Sequence, residues 1–449
     1  MRHAEDDMIA ALRLPPTRAF AWLVAAALVI FAAARWLEPR SVPEPPIRRS
    51  GAGAPDYAIA VADIDRLLTG LRSLAAGRPG DWLMQERIAH QLMRRARLTG
   101  SFHDYAAAQA AIDRGLASAT PGAGPHLTQA ALALSLHRLG LAERMLDKVG
   151  RYAMPPEAEA RAGIDAMRGD IALYRGHYAA AEQAYLRLSK DGEPPDYRLA
   201  IFWSATGRPD DALAAVRRVE RTGLIPGQAL AQLALLRGTI ELRRGNWDQA
   251  DAAFSDAARR FPGWWLTEAY QAQLLALRGR LPEATRAFEA LARRNDDPAL
   301  RDAIAGLYRA RGDYAATELW AGRATRGWDE RLRLLPEAAL GHAVEHELAF
   351  GTPARALRLA RQDFANRPHG ATAIALGWAL IANNRPADAL RAIDAVNRSS
   401  WQSAEQHLVA ARAHALLGQS DAADAEQDEA LAINPRALDP NATLLWYGH

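Results

Sequence analysis

His342, Glu345 and His346, in the run HAVEH, are the residues whose types and spacing come closest to chemistry. Two imidazoles four residues apart share one face of a helix, and a carboxylate between them can take a proton from a metal-bound water, so the trio has the makings of a hydrolytic zinc centre. A further carboxylate would be required as third ligand, and Glu426 or Glu429 stands at a plausible sequence distance. With no Cys in 449 residues, any metal must rest on His and carboxylates alone. His407 and His414, seven apart, could share a helix face, but imidazoles two turns apart make no metal site.

HAVEH formally resembles the H-x-x-E-H pattern of inverted zinc peptidases. It stands, however, where the first helix of a repeated hairpin is expected, without a surrounding sheet, so two polar groups on a helix surface are the expectation. The Gly-rich fragments GAGAP and TPGAGP lack the strand, Lys and Ser/Thr of a phosphate loop. A net charge of +3 over this length argues against nucleic acid. The Arg217-Arg218, Arg243-Arg244, Arg259-Arg260 and Arg293-Arg294 pairs stand near expected helix C-termini, where they complement the helix dipole. The expectation is a non-enzymatic chain with no cofactor, no metal and no small-molecule substrate.

What must position these residues is a repeat. Aligned on their short turns, RGHYAAAEQAY, TGRPDDALAAV, RGNWDQADAAF, RGRLPEATRAF, RGDYAATELWA, FGTPARALRLA, NNRPADALRAI and LGQSDAADAEQ recur about every 34 residues. The turn falls at Gly176, Gly207, Gly245, Gly279, Gly312, Gly351, Asn384 and Gly418. A residue that takes a left-handed backbone without a Cβ clash suits that place. Five residues later comes Ala181, Ala212, Ala250, Ala284, Thr317, Ala356, Ala389 or Ala423. Seven residues before the turn comes Gly169, Ala200, Gly238, Ala272, Ala305, Gly377 or Ala411, with Val344 the exception, and this small residue is expected to face that Ala. Nine after it, Tyr185, Val216, Phe254, Phe288 and Ile393 should fill the seam between hairpins, and Pro262, Pro368 and Pro435 should stop three second helices.

These columns resemble the tetratricopeptide repeat, and QLALLRGTIELRRGNWDQADAAFSDAARRFP, Gln232 to Pro262, is the nearest match. The resemblance implies an all-α, right-handed superhelical solenoid of TPR-like hairpins over 57–449, clear over about 160–436. Altered units near Gly100 and Gly140 bring the total to about ten hairpins. Turn spacings of 38 and 39 predict longer connections at Gly223–Gln228 and Trp328–Pro336. The resemblance also implies a concave groove lined by first helices. That places Tyr197, Ile201, Gln232, Leu235, Thr239, Leu266, Gln273, Ile374, Trp378 and Arg412 toward a protein or peptide partner. Trp264-Trp265, a pair of indoles in a connection, is a further candidate.

Ahead of the repeats, AFAWLVAAALVIFAAA is uncharged and, with Trp36 and Leu37, long enough to span a bilayer; a cleaved signal peptide is the alternative. The expected layout is a leader at 1–18, a transmembrane helix at 19–37 and a Pro/Gly-rich linker at 38–56. Positive charge is nearly balanced across the segment. By analogy with single-span bacterial repeat proteins, the expectation is an inner-membrane scaffold or assembly factor with its repeats in the periplasm. The same scaffold facing the cytosol as an adaptor is the alternative.

Overall fold

The computed structural model describes residues 56–152, 156–188, 197–221 and 226–444. The expected leader and membrane-spanning helix, the linker up to residue 55, and part of the expected connection at Gly223–Gln228 lie outside them. Among the described residues no helix is long and apolar enough to cross a membrane.

Asp56 accepts the Ile59 amide at 2.7 Å and so starts α1 (Tyr57–Ala76). Ten helix hairpins follow among the described residues. The first three are α2 (Trp82–Thr99) with α3 (Phe102–Ser118), α4 (His126–Ser135) with α5 (Leu139–Val149), and α6 (Ala158–Tyr174) with α7 (Tyr178–Leu188). The next three are α8 (Tyr197–Ala205) with α9 (Pro209–Glu220), α10 (Gly227–Arg243) with α11 (Trp247–Arg260), and α12 (Trp265–Leu277) with α13 (Leu281–Ala292). The last four are α14 (Pro298–Ala310) with α15 (Tyr314–Leu334), α16 (Pro336–Phe350) with α17 (Pro353–Asn366), α18 (Gly370–Ala382) with α19 (Pro386–Asn397), and α20 (Ala404–Leu416) with α21 (Ser420–Ile433). Pro opens five of these helices, where its missing N–H costs nothing.

The turn column has a backbone cause. Gly176, Gly207, Gly245, Gly279, Gly312 and Gly418 have φ of 73–77°, and Asn384 takes 56°. Gly351 is different: its φ is −102°, and it supplies space, because a Cβ there would run into the Glu347 side chain. Near Gly140 the left-handed residue is His137, at φ 59°, while Gly140 itself lies inside α5.

Two packing expectations are corrected. The small residue before the turn does not face the Ala column at the glycines where the space is tightest. A Cβ on Gly238 would meet the Phe254 ring, one on Gly169 would meet Tyr185 and Ala184, and one on Gly377 would meet Val409 and Ile393. The glycine makes room for the large seam residue, which then reaches the next hairpin: Phe254 stacks on Tyr270 at 4.8 Å between centroids. The second correction concerns Trp328–Pro336. No loop forms there, because WDERLRLL, residues 328–335, holds no Gly or Pro before Pro336, and α15 simply runs on to Leu334.

The array winds tightly. The turns of the first hairpins touch segments five or six hairpins further on. Trp265 Nε1–H donates to Leu98 O (2.9 Å), Asn295 to Thr99 O (3.1 Å) and Asn366 to His137 O (2.7 Å). The Gln402 amide donates to Ala205 O at 2.9 Å, beside an isolated parallel bridge between Thr206 and Gln402. Carbonyls left orphaned at a helix C-terminus thus find donors in the next coil. This winding explains why Ala130–Leu136, Ala231–Leu236 and Asp302–Leu307 are each buried without a break: first helices are enclosed on all sides, whereas second helices such as α11 and α17 bury one stripe.

Candidate interaction surface

The enclosure decides where the expected groove residues stand. Tyr197, Gln232, Leu235, Gln273 and Ile374 are buried among neighbouring helices. Ile201, Thr239, Leu266 and Trp378 are half-buried, and Arg412 is exposed. The structure therefore does not bring the ten together as one open face; five remain reachable, on α8, α10, α12, α18 and α20.

Trp264 and Trp265 are corrected as a partner site. Both are buried, 2% and 7% exposed, because the connection they occupy is clamped between α1 and the first turn. The Tyr57 amide donates to Pro262 O (3.0 Å), Phe261 lies between Tyr57 and Trp264, and the Trp265 indole packs against Gly100.

HAVEH is corrected too, since its second histidine does not lie on a helix surface as expected. His346 is buried with both ring nitrogens engaged, Nδ1 with Asp302 at 2.7 Å and Nε2 with Thr325 Oγ1 at 2.9 Å. Trp328 Nε1–H donates to the other Asp302 oxygen, also at 2.7 Å. Burial pushes the Asp302 carboxyl up, and these two partners oppose that rise. His342 stacks on Trp328 and its Nδ1 pairs with Glu345 Oε2 at 3.1 Å. Of the proposed third ligands, Glu426 accepts from His407 and Glu429 is exposed on α21. Among the described residues no cluster of three or more His, Asp or Glu could hold a metal ion.

The polar groups that the winding gathers have a structural role. Between the second and third turns and the connections before α18 and α20, His137, Tyr174, His369 and Trp401 form a chain of ring contacts with centroids 5.1–5.7 Å apart. Burial, aided by Arg367, lowers the His369 pKa to about 3, and burial holds His137 well below its ordinary value. His90, bonded to Thr128 at 2.9 Å between the first and second hairpins, is lowered to about 4 by burial, then Arg97 and Arg94. These imidazoles are neutral packing elements at ordinary pH.

One surface escaped the sequence reading. Past α21 the chain leaves the last hairpin and crosses back over earlier ones. Arg436 lies 4.1 Å from the Trp247 ring, Asn434 stands over the Gly245 turn, and a short 3₁₀ turn, Pro440–Leu444, rests on α12 and α14. Leu444 is 8% exposed and joins the core that contains Tyr270, Leu274 and Ile304. A Leu following DPNAT was the signal; it lay outside the repeat pattern and so had no assigned place.

No protein-family model and no curated protein matches the chain. Among solved structures, the P58(IPK) TPR domain is similar at 14% identity over 86% of this chain and 94% of that one, with a TM-score of 0.26. Yeast Tom70 is similar at 13% identity over 85% and 91%, with a TM-score of 0.36. The Cut9–Hcn1 assembly of the APC/C gives 13%, 86%, 99% and 0.32. Superpositions this loose carry nothing about winding or partners.

Proposed function

We propose that this chain is a non-enzymatic scaffold or assembly factor that holds segments of other proteins against the first helices of its hairpins. Residues 19–37 would anchor it in a bacterial inner membrane, and the array would stand in the periplasm. The observation that carries the scaffold reading is the seat of Pro440–Leu444 on α12 and α14: first helices here already hold a segment from outside the repeat pattern. The uncharged run before the linker supports the anchor.

Site-specific photo-cross-linking in cells tests the scaffold. A photoreactive residue at Ile201, Leu266 or Trp378 is expected to capture discrete proteins, and one at Arg358, exposed on α17, is not. Equal capture at all four, or none at any, would remove the reading. Reporter fusions after residue 56 and after residue 449 decide the side: activity outside the cytoplasm fits the envelope scaffold, and activity inside makes it a cytosol-facing adaptor.

A further inference from the structure

We infer that the surface formed by α12 and α14 is a docking site for a short, turn-forming, nearly uncharged protein segment in which a proline turn leads into Leu, and that residues 437–444 occupy it as a built-in ligand. A partner segment of the same chemistry would displace them. The inference rests on the scaffold reading and names the partner's chemistry.

Three features separate this segment from an ordinary end cap. A cap covers the open face of the last unit in a stack. This segment instead leaves α21 with only Ala423 and Ala430 buried and returns to the fifth, sixth and seventh hairpins. Each contact is made by a separate residue, as in a linear motif: Arg436 on Trp247, Asn441 beside the Gly279 turn, and Leu444 in the core. The stretch between is loosely held, with Leu438 47% exposed and Pro440 and Thr443 exposed.

Bonds within the segment fix its turn. Asp439 Oδ1 accepts the Asn441 amide at 2.9 Å, and the Asp439 carbonyl accepts the Ala442 amide at 2.9 Å. This Asx turn lets Pro440 start a turn that presents Leu444. From Ala437 on, ALDPNATLLWYGH carries a single carboxylate, Asp439, and no Lys or Arg. Recognition therefore rests on shape and apolar contact. The receiving side matches: Leu266 and Leu275 on α12 and Tyr308 on α14 are half-buried against the core that takes in Leu444. Within 437–444 Leu444 is the one buried apolar anchor, so the segment can exchange.

The test uses the full chain and a fluorescein-labelled peptide ALDPNATLLWYGH, read by fluorescence anisotropy, with circular dichroism as the folding check. The Leu444→Asp chain is expected to bind the peptide on the order of tenfold more tightly than the unaltered chain, because its own segment no longer competes. The same peptide with Leu444→Asp should not bind. Arg436→Ala, which loosens the segment without touching the Leu444 seat, should give an intermediate gain and stands in if Leu444→Asp unfolds. Equal binding to all folded chains, or binding to none, would overturn the inference. If cross-linking at Ile201 or Trp378 still captured proteins in that case, the scaffold reading would survive and only this site would fall.

Discussion

Replacing Gly238 by Ala sets two physical effects against each other. In a helix interior Ala is favoured over Gly by about 1 kcal/mol. At Gly238 the added Cβ would stand 2.5 and 2.9 Å from Cδ1 and Cζ of Phe254. That ring is fully buried and stacked on Tyr270, so relief requires moving two hairpins apart. Overpacking of this kind costs roughly 1–3 kcal/mol, occasionally more, and outweighs the propensity gain. Gly70, in the middle of α1, has nothing within 4 Å of its would-be Cβ. Gly70→Ala should therefore stabilise by about 0.5–1 kcal/mol. Urea titrations of the two variants beside the parent, followed by circular dichroism, should shift the midpoint in opposite directions. Phe254→Leu added to Gly238→Ala should recover part of the loss. A Gly238→Ala chain as stable as the parent would refute the assignment of the small column to the seam aromatic.

Asp302→Ala should cost about 2–4 kcal/mol, because the buried Trp328 N–H and His346 lose their acceptor, and Asp302→Asn less, since one acceptor oxygen remains; thermal melts check the order. Trp265→Phe removes the donor to Leu98 O and should cost about 1 kcal/mol more than Trp264→Phe, whose N–H finds no partner; equal midpoints in urea would contradict the contact. Acid should weaken the fold. His90 and His369 have folded pKa values of about 4 and 3, below the unfolded value of about 6.5, so the unfolded chain binds more protons. Their contribution is full above about pH 6.5 and falls by about 1.4 kcal/mol per pH unit and per histidine on the way down toward those values. Urea midpoints from pH 7 to pH 5 should fall, and His369→Asn should flatten the slope; an unchanged slope would contradict neutral burial.

The hairpins were legible because each column answers to local physics: a left-handed turn, a small residue, a bulky one. Gly207 and Asn384 could be placed for that reason. The partner of Gly238 was misjudged because alignment gives spacing, while the size of Phe254 decides what fills the gap. Trp328–Pro336 was read as a loop from turn spacing, although neither Gly nor Pro interrupts it before Pro336. The groove was drawn from ten hydrophobic and polar positions on the assumption of an open coil. Contacts such as Thr206 with Gln402 lie 196 residues apart and leave no periodic trace, so nothing in the sequence announced that Tyr197, Gln232 and Gln273 would be enclosed. HAVEH matched a pattern, but Asp302, which claims His346, stands 44 residues away.

The winding of hairpins five and six units apart onto one another is what encloses the first helices and limits where a partner can sit. The absence of Cys makes it directly measurable. Thr206 and Gln402 are paired in a parallel bridge, a separation that a disulfide spans. Thr206→Cys combined with Gln402→Cys should close rapidly into an intramolecular disulfide on mild oxidation. The product should migrate faster on a non-reducing gel at every protein concentration. Failure to cross-link, or cross-linking only between molecules, would mean that the coils do not meet and that the groove is open after all.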